Sequence, residues 1–177
     1  MFGKNKDYEE RRAKAQADDN KIQYWFKKGI ELTNLERYEE AITCYDKAIE
    51  INPEDSNLWN NKGNTLAKLE RDNESITCFD KAIEINPEDP YPVFNKGLAL
   101  SDLGRYEEAI TCFDEILKLD PQNTDVLFNK GWALADLGRH KEAITCFDET
   151  LKLNPLNENA RYHKGLSVNQ LGKDECL

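Results

Sequence analysis

Four of the five cysteines in this chain, Cys44, Cys78, Cys112 and Cys146, recur 34 residues apart. Thiols and imidazoles are the first side chains to test for chemistry. Protein metal sites draw cysteines from close pairs such as C-x-x-C, and no such pair occurs here. The two histidines, His140 and His163, have no nucleophile or ligand pattern around them. The paired carboxylates Glu39-Glu40 and Glu107-Glu108 fall where helices begin, and acids there favour the helix dipole. A glycine-rich phosphate loop is also missing. These residues predict no catalytic site, no metal and no cofactor. Equivalent residues of stacked helices stand roughly 8–10 Å apart, whereas disulfide Cα atoms approach within about 7 Å. The ladder is therefore expected to be reduced thiols acting as small apolar residues, in keeping with a reducing cytoplasm. Cys176 stands outside the series, near the terminus, and is expected at the surface.

Two other recurring side chains have chemistry suited to binding. Asn61-Lys62-Gly63, Asn95-Lys96-Gly97 and Asn129-Lys130-Gly131 repeat one tripeptide in register. A carboxamide offers two donors and an acceptor, so Asn61, Asn95 and Asn129 suit the backbone of an extended peptide. Lysine recurs at Lys28, Lys62, Lys96, Lys130 and Lys164. Two readings of that row stand. It attracts an acidic peptide, or it pairs with Asp46, Asp80, Asp114 and Asp148, the stems packing while the ammonium groups reach water.

The elements that position these groups follow from the same period. Gly29, Gly63, Gly97, Gly131 and Gly165 form one series, and Pro53, Pro87, Pro121 and Pro155 another. A fixed period of this length marks stacked supersecondary units, each touching mainly its neighbours. In residues 124–157, Leu127, Gly131, Leu134 and Ala135 fall at helical spacing. The pattern breaks at Leu137-Gly138, resumes with Ala143, Ile144, Phe147 and Leu151, and ends at Asn154-Pro155. Gly138 suits a turn that needs positive φ, and Pro155 stops the second helix. Each period is a helix, a tight turn and a second helix. The recurring glycine, with Ala41, Ala109 and Ala143, lets the paired helices approach closely, and the aromatic series Tyr45, Phe79, Phe113 and Phe147 is expected to fill the space against the next repeat.

These residues resemble the tetratricopeptide repeat. Its small residue at position 8 matches the glycine series, and its position-20 alanine matches Ala41, Ala109 and Ala143, with Ser75 departing. Its position-24 aromatic matches Tyr45, Phe79, Phe113 and Phe147, and its position-32 proline the proline series. Trp25 and Trp59 match position 4, which then becomes Val93, Leu127 and Arg161. Position 27 is Ala48 and Ala82, then Ile116 and Thr150. The resemblance implies an all-α, right-handed α-solenoid with four repeats at 22–55, 56–89, 90–123 and 124–157. Residues 158–177 make a lone first helix of a fifth repeat, either capping the stack or truncated. Residues 1–21 are a charged segment, partly helical or disordered; a helix over 6–17 is expected, with Asp18, Asp19 or Asn20 capping the next one.

In that family the first helices line a concave face. Carried over position by position, the resemblance puts Tyr91, Phe94, Leu98, Phe128, Trp132, Tyr162 and Leu166 on it, an aromatic strip along repeats three to five. Exposed apolar patches mark interaction sites; the alternative is that some of these rings pack between helices. The family's carboxylate clamp for chaperone tails is not matched, since Phe26 and Ile30 replace its lysine and asparagine and Asp125 and Asn129 its later basic residues.

The formal charge of -10 argues against nucleic acid, whose affinity comes largely from Lys and Arg on phosphates, and against anionic membranes. No apolar run nears the ~20 residues of a membrane helix, and the start, MFGKNKDYEERR, lacks a secretory core. The sequence thus predicts a cytoplasmic adaptor, without enzymatic activity, that binds a protein or peptide in its groove. The alternative is a module that oligomerises with itself through its terminal helices.

Overall fold

Apolar residues three and four apart give each helix one buried stripe. In the computed structural model, which describes the backbone of residues 2–174 and the side chains of residues 8–173, those stripes meet in pairs. The chain divides between Pro87 and Glu88 into two units. The first holds α1 (Phe2–Asn34), α2 (Tyr38–Ile51), α3 (Ser56–Ala67) and α4 (Asp72–Ile85). The second holds α5 (Pro90–Asp102), α6 (Tyr106–Leu119), α7 (Thr124–Asp136), α8 (His140–Leu153) and α9 (Glu158–Asp174). The described residues are all-helical, without strands. Within each unit every helix packs on the next, and first helices also touch: α1 with α3, α5 with α7, α7 with α9.

The first helices α3, α5 and α7 start on a side-chain cap. Asp55 accepts from Asn57 N, Asp89 from Tyr91 N, and Asn123 from Val126 N. Such caps satisfy amides that the helix leaves open. The second helices start instead from a turn with one residue at positive φ. In the second unit that residue is Gly104 (φ 72°) or Gly138 (φ 80°). Gly138 N donates to Ala135 O at 2.9 Å and Arg139 N to Leu134 O at 2.8 Å, which closes the helix end with a paired-bond cap. In the first unit Glu36 (φ 58°) and Glu70 (φ 57°) make the same turn. Arg37, Arg71, Arg105 and Arg139 follow, each reaching a glutamate three residues on, as in Arg37 Nε–Glu40 Oε1 at 2.6 Å. These exposed pairs add little stability.

Within each unit the buried residues recur with the period. Tyr45, Phe79, Phe113 and Phe147 are almost wholly buried, beside Ala41, Ser75, Ala109 and Ala143. Burying each ring contributes about 1.5–3 kcal/mol. The glycine series is there for these rings. A Cβ on Gly29 would stand 2.6 Å from Tyr45 Cε1, and one on Gly63 or Gly97 2.6 Å from the corresponding carbon of Phe79 or Phe113. The ring expected against the next repeat therefore sits first on the glycine of its own repeat. From there contacts run onward: in the first unit Tyr45 Oη lies 3.4 Å from Thr33 Oγ1, which is 3.2 Å from Thr65 Oγ1 in the next repeat.

The N-terminal segment corrects the sequence reading. No new helix is capped at Asp18, Asp19 or Asn20, because α1 runs unbroken from Phe2 to Asn34. No glycine or proline lies between Lys4 and Lys28, and Ala, Lys, Glu and Arg are strong helix formers. The Gln16–Asn20 hydrogen bond (3.4 Å) and the Asp18–Lys21 ion pair (3.6 Å) cross the expected boundary.

Candidate functional site

Three first helices of the second unit, α5, α7 and α9, carry the aromatic strip. Helical spacing of three, four and seven puts Tyr91, Phe94 and Leu98 on one face of α5, Phe128 and Trp132 on α7, and Tyr162 and Leu166 on α9. Tyr91 is 71% exposed, Tyr162 65% and Leu166 48%. Phe94, Leu98, Phe128 and Trp132 are half-buried. The strip is therefore exposed at its two ends and half-buried between them. Phe94 lies tilted on the core ring of Phe113 at 6.0 Å, and Phe128 on Phe147 at 5.9 Å. These rings have one side in the core and the remainder at the surface.

Tyr91 and Phe94 come together in a cleft of about 180 Å³, completed by Pro90, Ile116, Asn123, Asp125 and Val126. Phe128, Trp132 and Tyr162 lie outside it. The cleft sits where the starts of α5 and α7 meet the end of α6. Ile116 stands where the first two repeats have Ala48 and Ala82, so that departure was the sequence signal for one wall. Val126 carried none, because it repeats the ordinary apolar pattern. His163 was not expected among the rings. It stands 5.8 Å from Phe128, 6.2 Å from Phe147 and 5.4 Å edge-on from Tyr162, bridging the surface rings of α7 and α9.

The asparagine series is partly engaged by its own helices. Asn129 Nδ2 donates to Asp125 O at 2.8 Å, and Asn61 Nδ2 to Asn57 O at 2.8 Å. Each bond commits one of the two amide donors. Asn95 is half-buried on α5, and Asn61 belongs to the first unit.

The lysine row resolves toward pairing. Lys62, Lys130 and Lys164 place Nζ 2.6 Å from Oδ1 of Asp46, Asp114 and Asp148. Each pair joins a second helix to the first helix that follows. Burial alone would lower the pKa of Lys130, but the hydrogen bond and charge of Asp114 outweigh it and hold it raised. Lys28 has no preceding repeat and lies over the rings of Tyr24 (5.7 Å) and Trp25 (5.5 Å). The row offers little uncommitted cation to an acidic ligand.

Cys44, Cys78, Cys112 and Cys146 are buried and reduced. Burial pushes the Cys78 thiol up to about 11 and raises those of Cys44 and Cys146. A thiol held protonated is a poor nucleophile and a poor metal ligand. Cys176 lies outside the described residues. Among the described residues no group of three His, Cys, Asp or Glu side chains could hold a metal ion, and no helix is long and apolar enough to cross a membrane.

Comparison with known proteins agrees with this architecture. Family models described as tetratricopeptide repeat match residues 22–55 and 56–89, and again 94–155 and 136–175. No curated protein matches the sequence. Among solved structures, the chain is similar to the crystal structure of MamA protein, at 19% identity and a TM-score of 0.81, covering 89% of this chain and 86% of that one. It is similar to MamA 41-end from Desulfovibrio magneticus RS-1, at 19% identity and a TM-score of 0.80, with 87% and 86% covered. It is also similar to YrrB, described as a TPR protein with an unusual peptide-binding site, at 23% identity and a TM-score of 0.73, with 88% and 80% covered. Identities this low speak for the fold alone. With family matches running through both units, the chain belongs to the tetratricopeptide repeat family.

Proposed function

We propose that this protein is an interaction scaffold whose second unit binds a peptide or helix of a partner protein across the first helices α5, α7 and α9. Tyr91, Phe94, Leu98, Phe128, Trp132 and Tyr162 are the anchors. Asn129 holds the partner's backbone with the amide donor that its own helix does not use, and Asn95 stands in the same register on α5. Asn61 has the same register in the first unit. The observation that carries this reading is the exposure of Tyr91 (71%) and Tyr162 (65%) on a face already rich in rings. Large aromatics left in water are the residues that dominate interface energies. A reducing, cytoplasmic setting fits the buried thiol ladder, and neither a catalytic nor a cofactor role has support in these residues. YrrB, of the same fold, is described as having a peptide-binding site, which is in keeping with this use.

The test is affinity capture of partners with wild type and Trp132→Ala, followed by titration of the captured partner. Trp132 as a hot spot predicts a loss of about 2 kcal/mol or more, with helicity unchanged. Unchanged affinity in that variant removes Trp132 from the site.

A second reading, self-association with another copy of this chain through α9, rests on one feature. Leu166 and Val168 are each 48% exposed there, and the buried Ser167 Oγ has no hydrogen-bond partner among the described residues. Light scattering after size exclusion, across a concentration series with reductant, separates the two. A constant mass near 20.4 kDa removes self-association, and a rising mass makes it the leading function.

A further inference from the structure

The cleft between α5 and α7 has a chemical character that narrows what it can take. Its walls are Tyr91, Phe94, Ile116, Val126 and Pro90, and its volume is about 180 Å³. That is below the roughly 300–1,000 Å³ of small-molecule sites and suits one inserted side chain. The rim is acidic. Asp125 lines the cleft directly and is exposed. Asp120 Oδ2 accepts from Asn123 Nδ2 at 3.3 Å, one hydrogen bond back from the lining. Asp89 caps α5 immediately before Pro90.

No basic residue lines the cleft. Lys118, on the adjoining turn of α6, lies instead on a separate depression with Thr111, Asp114, Glu115 and Leu117. Lys130 on α7 is held by Asp114. An acidic peptide would meet like charge here, whereas a cationic side chain beside the inserted residue would find carboxylates within reach. Charge complementarity of this kind sets specificity and association rate.

We propose that the cleft accepts a single aliphatic or aromatic side chain of an extended partner peptide whose neighbouring residue is Lys or Arg, with Asp125 receiving the cation. This rests on the groove reading given above and adds the partner's chemistry to it. It is opposite in sign to the acidic-tail recognition that the lysine row first suggested.

The experiment is selection of random dodecapeptides displayed on phage against the full chain. Enriched peptides are then titrated against wild type, Tyr91→Ala, Asp125→Lys and Trp132→Ala at low and high salt. Both cleft residues are exposed, and thermal melts verify that their variants keep the fold. The expected result is an enriched apolar-basic pair, with affinity falling about tenfold or more in Tyr91→Ala and in Asp125→Lys and weakening as salt rises. Enriched peptides that depend on Tyr91 but lack a basic residue, or bind Asp125→Lys as well as wild type, overturn the charge rule and leave the groove in place. If no enriched peptide is weakened by Tyr91→Ala or Trp132→Ala, the groove reading itself falls.

Discussion

Gly131 and Gly165 hold the same place in their helices one repeat apart, and they meet opposite surroundings. A Cβ on Gly131 would stand 2.8 Å from Phe147 Cε1 and 3.1 Å from Cys146 Cβ. A Cβ on Gly165 would meet nothing within 4 Å. The helices are alike, but α7 is covered by α8, and no described helix covers the corresponding side of α9. Helix formation does not explain the glycine, since glycine is a poor residue inside a helix. The ring of the second helix explains it, and where that ring is missing the same residue only costs stability.

The largest effect that would break this comparison is removal of the ring. Phe147→Ala should cost about 3–5 kcal/mol, because Phe147 seats on α7 and also reaches His163 on α9. A urea midpoint shift worth less than about 1 kcal/mol would mean that the ring does not organise the pair. Next comes Gly131→Ala. Its methyl group would press on a ring that is fully buried, and the strain should be about 1–3 kcal/mol. Gly165→Ala should go the other way and stabilise by about 0.5–1 kcal/mol, the ordinary gain from replacing a helix glycine in open space. If the two alanine variants shifted the melting temperature in the same direction, packing would not be what separates the sites.

The smallest effect sharpens a related contrast, between the turns of the two units. Glu70→Gly relieves a left-handed conformation worth about 1–2 kcal/mol but gives the unfolded chain about 0.4–1 kcal/mol of added freedom. The net gain should fall between about 0 and 1.6 kcal/mol. A loss of stability on thermal melting would show that the Glu70 side chain contributes more than its backbone strain costs.

Much of the fold was legible because the period marks positions where the backbone tolerates few choices. Gly138 was readable as a left-handed turn, and Pro155 as a stop. Glu36 and Glu70 were not, because they take the same turn with a residue whose identity says nothing about φ; only the bonds from Arg37 N to Leu32 O and from Arg71 N to Leu66 O reveal it. The helical continuity of α1 through Asp18 to Asn20 was missed for a different reason: Asp and Asn cap helices readily, and that preference outweighed the absence of any glycine or proline to break the helix there. At the candidate site, register placed Tyr91 and Phe94 on one face. The cleft they share needed Ile116 from α6 and Val126 from α7, and a meeting of three helices cannot be read from the period of any one. The lysine row was chemically ambiguous in sequence, since an unpaired and a paired ammonium look alike until the aspartates are located.

The ion pairs from Asp46 to Lys62, Asp114 to Lys130 and Asp148 to Lys164 share one direction, acid on the earlier repeat and base on the later. A 34-residue segment copied in frame would therefore arrive with its lysine facing an aspartate already in place, and with its own aspartate ready for whatever follows. The chain can lengthen by whole repeats without any charge having to change, which makes gene duplication a ready route to a longer run of repeats.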